Sequence, residues 1–349
     1  VILLGMDFGV QLALTHGAPQ SLVRFFDYGR SVPGKFATWA AQPDLPGNLR
    51  DVAWRDAMMR ASAEGFAAET ASAVSERPVI RAYGMSFLNN ILDAAQKAEP
   101  DLRIDRHSGP GAPVNATYAM FLDDRPNRRA GDVVVLGVLS DTLEGMFSLS
   151  NRTWVFEQPA PYTYPVFSPD PAGTGLIRTD PLVQSLAEEE RLASDPARSA
   201  AWEAQLAELD RAHMAAAFRW PLLDASPLVR LLRRSQVMPE LALRRKAAMA
   251  ELSDPASPGA ETLRRILAAF AAEAREDGQV PIVALIQGNR PAPDLAALCP
   301  ALRAQGVTCF ATSEIQDPRD PAAFLGDGHF RPEVDARLGA AFLELLPPG

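Results

Sequence analysis

Two separated stretches of the chain alternate short apolar runs with helix-spaced apolar stripes, and this pattern predicts a sheet crossed by helices. In the first stretch, Val79-Ile-Arg-Ala-Tyr83 reads as a strand and Gly84-Met85-Ser86 as a tight turn. Phe87, Leu88, Ile91, Leu92 and Ala95 then recur at helical spacing. Leu102–Arg106 predicts a second strand running into the breaker cluster Ser108-Gly-Pro-Gly111. Pro113 suits a first helical position, with Ala116, Met120 and Phe121 marking the apolar side of that helix. Asp132-Val-Val-Val-Leu-Gly-Val-Leu139 is a continuous apolar strand of the kind that parallel sheets bury on both faces.

The second stretch repeats this grammar. Pro281–Ile286 predicts a buried strand, Asp294–Gln305 a helix that Pro300 should kink or split, and Val307–Ala311 a further strand. Pro332–Leu346 predicts the last helix, with Val334, Leu338, Phe342 and Leu345 on one face. Such alternation means a parallel sheet with crossover helices and sites at the carboxyl ends of its strands.

Between the two lies a different texture. Trp154–Phe167 is rich in aromatics and proline, and polar helices follow around Leu182–Leu192 and Ala200–Phe218. Residues 151–276 therefore read as an inserted cap or lid over the carboxyl edge, with Trp154 and Tyr162 as candidate substrate-binding rings. A packed proline-aromatic loop accounts for the same residues without a function. Arg30–Ala73 is charged and mostly helical, with no chemical motif. The expected division is thus 1–77 as an N-terminal segment, 78–150 with 277–349 as the catalytic domain, and 151–276 as the insert.

The run Val1–Leu14 is mostly apolar, interrupted by Asp7 and Gln11, and shorter than the ~20 residues of a full span. It fits the remnant of an N-terminal signal or membrane anchor, or a short buried strand and helix. The net charge of −9 argues against a nucleic-acid partner held by charge. Cys299 and Cys309 are the only cysteines, and they flank a predicted helix–strand junction. A disulfide, which favours an extracytoplasmic location, and two buried thiols are both open readings. Neither cysteine has metal-ligand spacing with a histidine, so no metal is expected.

Acyl transfer needs a nucleophile, a base, a group that orients the base, and donors for the oxyanion. The chain has four histidines. His16 lies beside the apolar N-terminal run, His213 in a polar helix, and His107 ahead of the Gly-Pro-Gly turn. His329 stands in Gly326-Asp-Gly-His-Phe-Arg-Pro-Glu333, where Asp327 can hold its imidazole in the needed tautomer. Ser86, on a glycine turn between a buried strand and a helix, is the matching nucleophile; a helix cap is its bland alternative.

The succession strand–Gly-x-Ser–helix, strand–Gly-Pro-Gly, strand–Ser-Asp and terminal Asp-x-His resembles the SGNH (GDSL-like) hydrolase family over roughly Pro78–Asp141 and Pro281–Leu346. The resemblance implies a flavodoxin-like three-layer α/β fold with a parallel sheet, carrying here a large, mostly helical or irregular insert. It implies Ser86, Asp327 and His329 as the catalytic triad. The oxyanion hole would comprise Ser86, Gly111 (Gly109 as fallback) and Ser140. Three positions depart from the family pattern: Met85 replaces an aspartate, Ser140 replaces an asparagine donor, and Asp precedes His by two residues rather than three. Asp-x-His followed by an aromatic resembles the branch that includes extracytoplasmic polysaccharide O-acetyltransferases.

The implied activity is that of a serine esterase or O-acyltransferase acting on an ester of a carbohydrate, in the periplasm or another extracytoplasmic space. The implied partner is a small-molecule or glycan ester, with no cofactor. A non-catalytic carbohydrate-binding relative of the same fold is the alternative. Gly5-Met-Asp-Phe-Gly9 resembles the first phosphate loop of actin-like kinases, yet the further loops that ATP requires are not found. No Walker loop or dinucleotide fingerprint is present.

Overall fold

The computed structural model describes residues 2–45, 47–72 and 78–347. Two compact units emerge: Val1–Val52, Phe147–Thr163 and Pro181–Ala247 form a helical unit, and Ala53–Met146, Tyr164–Asp180 and Ala248–Gly349 form a sheet unit. Helices α1 (Ile2–Thr15), α2 (Gln20–Asp27) and α3 (Val32–Ala41) open the helical unit. The sheet unit begins with α4 (Arg55–Ser72), β1 (Ile80–Gly84), α5 (Ser86–Ala98), β2 (Ile104–Ser108), α6 (Val114–Asp123) and β3 (Val133–Leu139). The short α7 (Asn151–Trp154) returns to the helical unit, while the antiparallel pair β4 (Val166–Pro169) and β5 (Leu176–Thr179) belongs to the sheet unit. Next come α8 (Leu186–Leu192), α9 (Pro196–Leu209), α10 (Ala215–Phe218) and the long α11 (Pro227–Ser253). The chain ends in the sheet unit with α12 (Pro258–Glu276), β6 (Val280–Ile286), α13 (Cys299–Ala304), β7 (Thr308–Ala311) and α14 (Pro332–Leu343).

The five-stranded sheet has the order β2-β1-β3-β6-β7, and every pairing in it is parallel. Strands β1 and β3 are buried along their whole length, and β6 from its second residue on, as continuous apolar runs require when both faces are covered. Helices α5 and α14 pack together, as do α6 and α12, in line with a three-layer α/β architecture. The chain reverses its winding between β1 and β3, the switch point at which such sheets form crevices. Pro300 splits the expected helix into a 3-10 turn at Leu295–Leu298 and α13. Cys299 and Cys309 form a disulfide, so the open choice at that junction resolves toward the bond.

The expected boundaries need correcting. The boundary at residue 77 lies outside the described residues. Residues 151–276 are divided between the units, because α12 and the β4–β5 pair belong with the sheet. The reason is burial: Leu263, Ile266, Leu267 and Phe270 form an apolar stripe on α12 that packs toward α6 and β6. In the helical unit, Val32, Phe156, Met214, Ala217, Phe218 and Val237 make a small core. The N-terminal run forms a helix with no buried residue, neither a strand nor part of a core.

Candidate functional site

Ser86 opens α5 directly after β1, so its hydroxyl lies at the carboxyl edge of the sheet and its amide at a helix N-terminus. Gly84 makes the turn possible: a Cβ there would sit 2.6 Å from Leu88 Cδ2. Ser86 Oγ lies 2.7 Å from His329 Nε2, although the residues are 243 apart in sequence.

His329 is held by a closed loop. The Leu325 amide donates to the His329 carbonyl, the Arg331 amide to Ala323, and Phe324 bridges Phe330 in antiparallel fashion. Gly328 sits at φ +93°, a left-handed conformation that favours glycine between the aspartate and the histidine. Asp327 Oδ1 accepts the His329 amide at 3.1 Å, and Oδ2 lies 3.3 Å from Nδ1. The His329 amide first, and then its imidazole, hold the Asp327 carboxyl below the usual carboxylate range. Asp327 is well exposed, with 66% of its side chain open to solvent. The Phe87 ring stacks on the imidazole at 4.7 Å between centroids, which fixes its plane. Helical spacing marks Phe87 only as an apolar helix position, whereas its place next to Ser86 is the signal that puts its ring on the His329 imidazole.

The oxyanion donors sort differently from expectation. The loop after β2 is tied to β1 by the Gly109 amide, which donates to the Gly84 carbonyl at 3.3 Å and is thereby spent. Gly111, at φ +56°, has no backbone acceptor for its amide among the described residues. Ser140 is fully buried; its hydroxyl donates to Asp141 Oδ1 at 3.1 Å and accepts the Gly288 amide at 2.9 Å. A hydroxyl has one proton, so in this arrangement Ser140 ties the ends of β3 and β6 together and offers nothing to an oxyanion.

Beyond β6 a cavity of about 430 Å³ is lined by Gln287–Ala292, Ser313 and Asp317–Arg319, among others, with polar and apolar surface in nearly equal parts. Its Asn289 faces the loop that carries His329, for a Cβ at Gly328 would lie 3.8 Å from Asn289 Oδ1. Asp335, on the first turns of α14, also senses His329. Burial pushes its carboxyl up to about 6, with the His329 charge opposing and Asp93 assisting. Trp154 and Tyr162 belong to the helical unit. Tyr162 is 1% exposed with its hydroxyl toward the Asn151 side chain, so the packed-loop reading applies to it and it offers no open stacking face. Trp154 is half-buried.

A second polar cluster lies inside the sheet unit. Asp105, His107 and Asp124 place ligating atoms within 4.8 Å of one another, a spacing a divalent cation would accept. The Arg81 guanidinium already lies 2.7 Å from Asp105, 2.8 Å from Asp132 and 3.7 Å from Asp124, so the chain supplies positive charge there itself. Tyr83 adds a 2.7 Å hydrogen bond to Asp124.

Comparison of the chain with models of known families, with curated proteins and with solved structures gave no match.

Proposed function

We propose that this chain is a serine esterase or O-acyltransferase of the SGNH type, with a flavodoxin-like sheet, acting on an ester of a carbohydrate. The observation that carries the reading is the 2.7 Å contact between Ser86 Oγ and His329 Nε2 at the carboxyl edge. In the proposed reaction, His329 Nε2 takes the hydroxyl proton as Ser86 Oγ bonds to the ester carbonyl carbon. The Ser86 and Gly111 amides face the developing oxyanion. Collapse of the tetrahedral intermediate breaks the bond to the leaving alkoxide, which receives the proton from His329. Water or a sugar hydroxyl then resolves the acyl-enzyme by the reverse sequence. Asp327 keeps the imidazole in the tautomer that accepts on Nε2.

The mixed lining of the cavity beside Asn289, with Gln287, Arg290, Ser313 and Asp317 as hydrogen-bonding side chains among apolar ones, supports a carbohydrate substrate, since sugars need hydrogen-bond partners as well as apolar faces. The Cys299–Cys309 disulfide supports a periplasmic or otherwise extracytoplasmic site of action. One observation favours the alternative of a non-catalytic carbohydrate-binding relative: the Ser140 hydroxyl is engaged by Asp141 and Gly288 where a donor is wanted. A fluorophosphonate probe with intact-mass detection separates the two. Labelling of the parent chain and its loss in Ser86→Ala support the enzyme. An unlabelled parent that binds glycans supports the binding module.

A further inference from the structure

α1 is amphipathic in the reverse sense for a helix on a water-exposed surface. Its half-buried positions are Asp7, Val10, Gln11 and Leu14, the i, i+3, i+4, i+7 stripe of one face. Two of the helix's three polar side chains therefore point inward. Asp7 Oδ1 accepts the amide of Leu228 at 2.8 Å, in the first turn of α11. Exposed along α1 are Ile2 (79%), Leu4 (75%), Phe8 (69%), Leu3 (68%), Met6 (56%) and Leu12 (48%), with Leu3 and Leu4 a turn ahead of Asp7 on or beside the half-buried face. A second segment of the same unit adds to this display. Trp220, Leu222 and Leu223 lie a few residues ahead of the α11 turn that Asp7 holds, and Leu222 is 93% exposed.

We infer that α1, with the Trp220–Leu223 segment, inserts into the apolar region of a lipid bilayer. The distribution around the helix selects lipid over a protein partner. At 3.6 residues per turn the exposed apolar side chains occupy most of the circumference. A protein groove covers one stripe, whereas a lipid phase surrounds every free side. Tryptophan beside such a helix suits the headgroup boundary. No described helix is long and apolar enough to cross a membrane. The inference is independent of acyl transfer.

The test is flotation of the full chain with phosphatidylcholine–phosphatidylglycerol vesicles through a density gradient at high salt. The parent should rise with the vesicles, because apolar insertion resists salt. The Leu3→Ser, Leu4→Ser, Phe8→Ser variant should stay at the bottom, each change lowering partition about tenfold. Trp220→Ser with Leu222→Ser should weaken flotation less. Unchanged circular dichroism and melting would show that the variants fold. Ser86→Ala should float like the parent, which separates this result from the fate of the esterase reading. A parent that stays at the bottom, or variants that float equally well, would overturn the inference. So would a parent that ignores vesicles and forms a dimer the variants dissolve, which assigns the face to protein contact.

Discussion

The sheet unit holds two clusters that each set a histidine beside aspartate, and they differ in what surrounds that pair. At the carboxyl edge, Ser86, His329 and Asp327 form a short chain of contacts whose outer member is mostly in water. Within the unit, Arg81, Asp105, Asp124, Asp132, His107 and Tyr83 form a dense network around a guanidinium with no solvent exposure. Histidine beside aspartate therefore does not mark a site. The inner carboxylates are engaged by Arg81 and by neighbouring donors, Ser62 on Asp105, Asn127 on Asp124 and the Arg129 amide on Asp132, and fixed charge there is structural. The edge cluster keeps a hydroxyl on an open edge and an imidazole with one partner on each ring nitrogen, the arrangement that the proposed proton transfer needs.

Removing the base should separate the clusters most sharply. His329→Ala should lower acyl-enzyme formation by about three powers of ten or more, with little change in melting temperature. Asp327→Asn should cost only about ten- to a hundredfold, because its carboxylate acts through solvent-exposed contacts. Single-turnover mass spectrometry measures both, and a larger effect for Asp327 than for His329 would break the assigned roles.

Arg81→Met should do the reverse. It leaves three carboxylates facing one another without their cation, and about 3–5 kcal/mol of stability should be lost in chemical denaturation. Acylation per folded molecule should remain near the parent value. A silent substitution would mean that the inner network does not hold the unit together.

Gly288→Ala probes the boundary between chemistry and packing. A Cβ there would meet the Asp141 carboxyl at 2.4 Å, and the clash should cost about 1–3 kcal/mol. Because the Gly288 amide and Ser140 hydroxyl tie β6 to β3, acylation should fall as well. Denaturation and single-turnover assays on the same sample measure the two effects.

The smallest expected effect concerns Asp335, whose carboxyl burial raises to about 6. Its folded value lies above the unfolded one, near 3.9, so its favourable contribution is complete below about pH 4 and is lost as pH rises through about 6. Asp335→Asn removes the cost of ionising a buried group. The variant should gain on the parent by about 1–2 kcal/mol between pH 4 and pH 8, offset in part by the loss of an acid near a helix N-terminus. Melting curves across that range check the sign; a gain confined to low pH would refute it.

How much of this was legible in the chain follows the range of the interactions. Local patterning was enough for β1, β3 and β6, whose continuous apolar runs have few other places to go. The turn at Ser86 and the Asp-Gly-His loop were readable for the same reason, since glycine and short polar spacers constrain neighbours directly. The amphipathic stripe of α12 was equally present in the sequence, yet the residues around it read as a polar insert and hid its membership in the sheet unit.

Three things were decided only in three dimensions. The meeting of Ser86 with His329 depends on β1 and the closing loop reaching one edge, a product of strand order that periodicity does not encode. The Ser140 proton goes to Asp141 because β6 brings the Gly288 amide onto its oxygen, and no spacing rule contains that geometry. The reversal of α1 is tertiary too. Its sequence makes an apolar helix carrying Asp7 and Gln11, but only packing turns those two, with Val10 and Leu14, toward the unit and leaves most of the other apolar side chains exposed. Sequence sets what each segment prefers to bury; the assembled fold sets which of those preferences the chain itself can meet.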